Sequence, residues 1–113
     1  MLALTTTGRR SGLRRTTTVA YLQRGDAFAV TALNLGSDRH PAWCLNLLAN
    51  ADASVHVNGE DRPVRAREAR GEEANALWRA IVDRLPTTGQ FRQLARREVP
   101  IFVLEPVAPR RPG

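Results

Sequence analysis

The stretch MLALTTTGRRSGLRRTTTVAYLQ, residues 1–23, places two β-prone runs on either side of a short turn bounded by Gly8 and Gly12. Threonine, valine and leucine are common in strands, and glycine permits the backbone angles that a sharp turn needs. Four arginines crowd around this turn within seven positions. The stretch therefore predicts a β-hairpin with a strongly basic turn.

Working outward, the β pattern continues along most of the chain. The run AFAVTAL (27–33) follows directly after RGD, and IFVLEP (101–106) reads as a last apolar strand. ASVHV (53–57) and RPVRARE (62–68) flank an Asn-Gly pair, which is typical of a tight hairpin turn. With TTTVAYLQ (16–23) as one strand, the pattern predicts six strands, of which RPVRARE is half-buried.

Two segments change to a helical period. In HPAWCLNLLAN (40–50), one face carries Ala42, Leu45, Leu48 and Ala49, and another carries Trp43, Asn46 and Asn50. From Glu72 the apolar spacing predicts an amphipathic helix that ends at Pro86 and has Trp78 in its core-facing stripe. Six strands with two to three helices predict a mainly β (α+β) fold, a small antiparallel barrel. We expect residues 1–107 to form one domain and residues 108–113 a mobile tail.

Composition limits the classes of function. All 17 basic residues are arginine, and 11 acidic residues leave a net charge of +6. This charge favours phosphates, carboxylates, nucleic acid or lipid headgroups as partners, although a G+C-rich genome would also enrich arginine. The single cysteine excludes an internal disulfide. No apolar run reaches membrane-span length and no signal peptide is evident, so we expect a cytoplasmic protein without stable membrane insertion.

The basic turn has three readings. Converging amides and arginine forks suit a phosphate or carboxylate ligand. Alternatively, the arginines are merely solvated, or they bind nucleic acid; no aromatic residue is interleaved with them, which disfavours nucleic acid.

The helix predicted for residues 40–50 also has more than one interpretation. Trp43, Asn46 and Asn50 form a face that suits the edge of a heteroaromatic ligand, or else Trp43 belongs to the core and Asn50 caps the helix. Cys44 reads as a buried, inert thiol. His40 and His56 are too far apart for a compact metal motif, so no metal is expected.

Three blocks carry a resemblance to a known family. LTTTGRRSGLRRTT, HPAWCLNLLAN and REVPIFVLEP are similar, in order and spacing, to the deazaflavin (F420)-dependent nitroreductase family, the B-type branch of the flavin and deazaflavin oxidoreductases. The match runs from about Leu2 to Pro106. The resemblance implies a split β-barrel of the FMN-binding type and the cofactor coenzyme F420 (8-hydroxy-5-deazaflavin), with FMN less favoured. The polyanionic phospholactyl and oligoglutamate tail of F420 would explain the basic turn.

The resemblance also implies site residues by motif position. The cofactor tail would be held by Arg9, Arg10, Ser11, Gly12, Arg14 and Arg15. The deazaflavin would be bordered by Thr31, Ala32, Leu33, Asn34, Ala42, Trp43, Cys44 and Asn46. The substrate would contact Leu33, Leu85, Thr88 and Phe91. No catalytic side chain is implied, because the cofactor carries the chemistry.

The implied function is transfer of a hydride from reduced F420 to a small activated acceptor: a quinone, an enone or a nitro compound. A non-catalytic carrier of deazaflavin or of another anionic ligand is the alternative. Leucine replaces small or polar family residues at Leu33 and Leu35, and Leu85, Thr88 and Phe91 replace tyrosines. We therefore expect quinones or enones to be preferred to nitroimidazoles. Family members commonly carry a further N-terminal helix, and we expect a homodimer to cover the open face.

Overall fold

The computed structural model describes residues 1–32, 40–87, 89 and 99–107 of the chain. Four of the predicted site residues lie outside this part, namely Leu33, Asn34, Thr88 and Phe91, as does the predicted tail of residues 108–113. Within it, seven strands and two helices have defined ends. The strands are β1 (Leu2–Thr7), β2 (Arg14–Val19), β3 (Leu22–Arg24), β4 (Ala27–Thr31), β5 (Asp52–Val57), β6 (Glu60–Glu68) and β7 (Ile101–Pro106). The helices are α1 (Ala42–Ala49) and α2 (Gly71–Arg84).

The prediction of six strands was wrong, because the run of residues 16–23 is divided. Its first part belongs to β2, which pairs with β1 as far as Val19 opposite Leu2. Its last part is β3, where Leu22 pairs with Ala29 of β4 instead. The run therefore changes its partner strand, and the residues at the point of change belong to neither strand pair.

This division shows how the sheet closes. All strand pairs are antiparallel, in the order β2-β1-β5-β6-β7-β4-β3, so β2 and β3 lie at opposite edges. In a flat sheet these edges would be roughly 29 Å apart, at about 4.8 Å per strand. Only Ala20 and Tyr21 connect them, and three peptide links span about 11 Å at most. The sheet is therefore strongly curled into a half-barrel, which confirms that the fold is mainly β and antiparallel, as predicted.

Two apolar clusters lie on the two faces of the curled sheet. Inside the curl, the core includes Leu4, Phe28 and Leu104, all at most 1% exposed. On the outer face, a second cluster joins the sheet to α2 through Trp78 and Ile81. The prediction that Trp78 is a core residue is confirmed. β7 is buried on both faces over its first four residues because it lies beneath α2 and above the inner core.

Helix α1 presents a different face to the core than its sequence suggests. Cys44, Asn46 and Leu47 are buried, whereas Leu48, on the predicted apolar face, is 56% exposed. The reason is that α1 packs against β1, where a buried threonine offers a hydrogen-bond partner to an amide side chain. The predicted burial of Cys44 is confirmed. In the described part of the chain, neither helix has the length and apolarity to cross a bilayer.

Candidate functional site

The basic turn between β1 and β2 is a rigid backbone structure. The Gly8 N–H donates to the Leu13 carbonyl at 2.7 Å, and the Gly12 N–H donates to the Gly8 carbonyl at 2.9 Å. The Ser11 hydroxyl accepts a hydrogen bond from the Leu13 N–H at 3.1 Å. A Cβ at Gly8 would lie 2.7 Å from the Ser11 hydroxyl, and Gly12 has a φ of +71°. Both glycines are thus needed for this turn, for different reasons.

A buried asparagine attaches α1 to the turn. The Asn46 side chain accepts a hydrogen bond from the Arg9 N–H at 3.1 Å and donates one to the Thr6 hydroxyl at 3.0 Å. Asn46 and Thr6 are 4% and 1% exposed. Because both functions of the amide are used, the side chain fixes the position of the turn relative to α1. Sequence periodicity had placed Asn46 on a ligand-facing surface and gave no sign of this structural bond.

The turn and α1 enclose a groove of about 770 Å³, which we call the basic groove. This volume lies in the range of about 300–1,000 Å³ that is usual for ligand sites. Its lining combines arginines of the turn, the first turn of α1 and the outer part of β2. From the predicted set it includes Arg9, Arg10, Ser11, Arg15, Ala42, Trp43 and Asn46, and beyond that set it includes Thr16, Thr17 and His40.

The positive charge of the basic groove is not compensated. Among the residues that the structure describes, no carboxylate lies within ion-pair distance of Arg9, Arg10 or Arg15. Arg14 points elsewhere and donates to the Ser54 hydroxyl at 3.0 Å. The first turn of α1 contributes the positive end of a helix dipole to the same groove. The groove therefore favours an anionic ligand.

Trp43 supplies a flat apolar wall to the basic groove. Its ring is half-buried and lies edge-on to Phe102, with the ring centroids 6.1 Å apart. This contact leaves part of the indole exposed to the groove while it fixes the ring plane. The neighbouring Cys44 is fully buried and belongs to the inner core, so its thiol does not line the groove.

A second cavity of about 330 Å³ lies near the opposite end of the β1–β2 hairpin, and we call it the apolar cavity. Its lining includes Leu22, Ile81 and Leu85 as apolar residues and Tyr21, Thr31 and Arg84 as polar ones. Thr31 and Leu85 were predicted for the cofactor and the substrate respectively, and the structure brings them together here. Ala32, which follows Thr31, is buried in the inner core.

The two cavities follow one another along the chain. The basic groove reaches Thr17 on β2, and the apolar cavity begins at Ala20. These positions are three residues apart, about 10 Å along an extended strand. β2 is an edge strand of the described sheet, so its outer edge has main-chain groups available to a ligand. Both cavities thus lie beside this hairpin, one against its turn and one near the residues that follow β2.

The site residues that the sequence did not reveal share one cause. Thr16, Thr17 and Tyr21 line cavities only because β2 is an edge strand and the chain then crosses to β3. Arg84 enters the apolar cavity only because α2 packs on the outer face of the sheet. No local pattern encodes either tertiary arrangement.

Comparison with known proteins identifies the family of this chain. Residues 1–106 match the family model of the F420H(2)-dependent quinone reductases. An F420H(2)-dependent quinone reductase of Mycobacterium tuberculosis is 29% identical over 106 residues, which cover 91% of this chain and 71% of that protein. The solved structure of an F420-H2 dependent reductase, FDR-A, has a TM-score of 0.84 at 30% identity and 92% coverage of both chains. A second solved structure, described only as a domain-swapped dimer, has a TM-score of 0.85 at 30% identity, and the match covers 92% of this chain and 78% of the other. The chain belongs to the F420H(2)-dependent quinone reductase family.

Proposed function

We propose that this protein uses reduced F420 to reduce a quinone or enone, with the cofactor tail on the basic groove and the acceptor in the apolar cavity. The uncompensated charge of Arg9, Arg10 and Arg15 carries this proposal. A phosphodiester and a chain of carboxylates need several cationic donors, and arginine forks bind both groups with paired hydrogen bonds.

The residues present fit the cofactor. Three arginines line the same groove as Trp43, which offers an apolar wall for a flat ring. When bound, the reduced deazaflavin supplies the hydride for the reaction. The chain itself positions the two reactants: the turn holds the tail, Asn46 fixes the turn, and the edge of β2 directs the ligand towards the acceptor.

Quinones and enones are favoured over nitro compounds as acceptors. Leu22, Ile81 and Leu85 offer apolar surface to the flat body of such an acceptor, and quinones are the substrates named for the matching family. We therefore propose quinones and enones as the preferred acceptor class, with broad tolerance within it.

The test is steady-state oxidation of F420H2 with menadione, cyclohexenone and a nitroimidazole as acceptors. We expect the nitroimidazole to have the lowest kcat/KM of the three. A best kcat/KM for the nitroimidazole would contradict the acceptor assignment. Tight F420 binding without turnover of any acceptor would instead indicate a carrier, and binding of FMN in preference to F420 would contradict the cofactor assignment.

We also propose that the protein is a homodimer. Leu13 and Leu48 are 62% and 56% exposed, so a partner subunit has apolar side chains to cover. The similar structure described as a domain-swapped dimer supports self-association in this fold. Light scattering should give twice the chain mass at micromolar concentration, and a clean monomer would contradict the proposal.

A further inference from the structure

Arg84 is the one charged side chain among the described residues that line the apolar cavity. It lies in the last turn of α2, five residues beyond Arg79 on the same helix. No carboxylate among the described residues pairs with it. A cation at a helix C-terminus interacts favourably with the helix dipole, but that role does not require a cavity.

The surroundings make this guanidinium an effective hydrogen-bond donor. Leu22 of β3, together with Ile81 and Leu85 at the end of α2, makes much of the wall apolar. A ligand that fills this space displaces water, and charge interactions strengthen as water is excluded. A planar guanidinium then offers parallel N–H groups to an oxygen at the edge of a flat ring.

We propose that Arg84 binds a carbonyl oxygen of the acceptor and stabilises the negative charge that develops there during reduction. This inference rests on the proposed function. The acceptor receives hydrogen and two electrons as a hydride from reduced F420, whose C–H bond breaks as the new bond to hydrogen forms. One acceptor oxygen thereby becomes anionic, Arg84 hydrogen-bonds it without losing a proton, and water supplies the proton that completes the hydroquinone. The cofactor is left oxidised.

The proposal distinguishes acceptors by chemistry. It requires a carbonyl at the edge of a flat apolar body, as in a naphthoquinone, so that the body occupies the cavity while the oxygen reaches Arg84. Thr31, at the end of β4, adds a neutral hydroxyl to the same lining. An aromatic carboxylate of similar size resembles the anionic state and should bind the cavity even without cofactor.

The kinetic test compares Arg84→Gln with Arg79→Gln. Arg79 and Arg84 are both exposed on α2, but only Arg84 lines the apolar cavity, so the substitution of Arg79 matches the change in charge. Loss of one charge-stabilising donor typically lowers kcat by about 100–1,000-fold. We expect a fall of about 100-fold in kcat/KM for menadione in Arg84→Gln, unchanged F420 affinity, and wild-type kinetics in Arg79→Gln.

The binding test needs no turnover. Calorimetry should show that 2-naphthoate binds the cofactor-free wild type at least about tenfold more tightly than Arg84→Gln, as expected for loss of a charge-assisted hydrogen bond. Arg79→Gln should bind it like the wild type. In Arg84→Ala, millimolar guanidinium should restore part of the menadione rate, which a purely structural role in the helix would not produce.

The outcomes separate this inference from the proposed function. If no quinone tested supports the oxidation of F420H2 by the wild type, the proposed function fails. If the wild type turns over menadione and Arg84→Gln behaves like Arg79→Gln in rate and in 2-naphthoate binding, the role of Arg84 is overturned. Failure of guanidinium to restore any rate in a folded Arg84→Ala protein would also contradict it.

Discussion

Arg67 and the arginines of the basic turn have opposite electrostatic surroundings. Arg67 on β6 pairs with Glu73 at the start of α2 and with Glu105 on β7, with nitrogen–oxygen distances of 2.8 Å to each carboxylate. Arg9 and Arg10 of the basic turn pair with no carboxylate in the described part of the chain. The same side chain thus joins elements in one place and remains available to a ligand in the other.

The titration behaviour of the Arg67 group reflects this pairing. The hydrogen bond to Glu73 is the main reason that the pKa of Arg67 is raised, with a further contribution from Glu105. The hydrogen bond from Arg67 likewise lowers the pKa of Glu73. Charged side chains that pair with one another in this way attract an anionic ligand only weakly. Arg67 is therefore not among the arginines that we expect to bind an anionic ligand.

Removing the basic turn's charge should have the largest effect. Replacing Arg9, Arg10 and Arg15 with alanine should weaken F420 binding by several kcal/mol at low salt, because charge-assisted hydrogen bonds contribute about 1.5–3 kcal/mol each. The free energy of unfolding should change little, since none of the three pairs with a carboxylate among the described residues. Fluorescence titration with F420 measures the first quantity, and urea denaturation measures the second.

A charge-matched control decides whether position or net charge matters. Arg24, Arg65 and Arg79 are exposed, and no ion pair involves them in the described part of the chain. Their joint replacement with alanine removes the same charge and should leave F420 affinity near that of the wild type. Equal losses in the two triple variants would mean that only the overall field attracts the cofactor.

Asn46 allows the turn to be disturbed without changing its charge. Asn46→Ala leaves the buried Thr6 hydroxyl and the Arg9 N–H without their partner, and a buried polar group without a partner costs about 1–3 kcal/mol. We expect a loss of that size in the free energy of unfolding by urea. Asn75→Ala, on the exposed face of α2, is the control and should be nearly neutral. Equal stability of the two variants would contradict the structural role of Asn46.

Breaking the Arg67 group should give the reverse of the arginine-turn result. Arg67→Gln should lower the free energy of unfolding by about 1 kcal/mol, because exposed ion pairs contribute little even when geometry is good. F420 affinity should be unchanged. Arg62→Gln is a suitable control, since Arg62 pairs only with Glu60 two residues earlier on β6. A large loss of F420 affinity in Arg67→Gln would contradict the division between the two groups.

The smallest expected effect concerns pH. Because the pKa of Glu73 is lowered from its ordinary value of 4.5, its contribution to stability is complete above that value and is lost as the pH falls through the lower, folded-state pKa. Urea midpoints of the wild type and Glu73→Gln should therefore differ near neutral pH and converge as the pH falls below 4.5. Solvent screening keeps the difference small, and curves that stay parallel would contradict it.

Features encoded by neighbouring residues could be predicted from the sequence, whereas features that depend on strand pairing could not. The Asn-Gly hairpin turn was predicted, and Asn58 and Gly59 indeed have positive φ angles. The apolar stripe of α2 gave the correct core role for Trp78 because a regular period is encoded in consecutive residues. The split of residues 16–23 was missed, since it depends on which strand each half pairs with.

The residues of the candidate site also differ in whether the sequence could predict their position. The GRRSG turn could be read from sequence because its two glycines and its arginines are neighbours in the chain. The separation of Thr31 from the basic groove could not be read, since it follows from the position of β4 at the other side of the curled sheet. Whether an amide such as Asn46 faces a ligand or a buried hydroxyl likewise depends on packing that no local pattern records.

The place of β7 in the sheet has a consequence for how the protein is made. β7 is the last strand of the described residues, yet it lies between β6 and β4 and connects the two halves of the sheet. Its pairing of Leu104 with Phe28 joins residues about 75 positions apart, so hairpins such as β5–β6 can form on the ribosome long before the barrel can. Until residues 101–106 leave the exit tunnel, the edges of β4 and β6 remain unpaired. Nascent chains stalled just before this strand should therefore be the form most prone to aggregate and most dependent on chaperones.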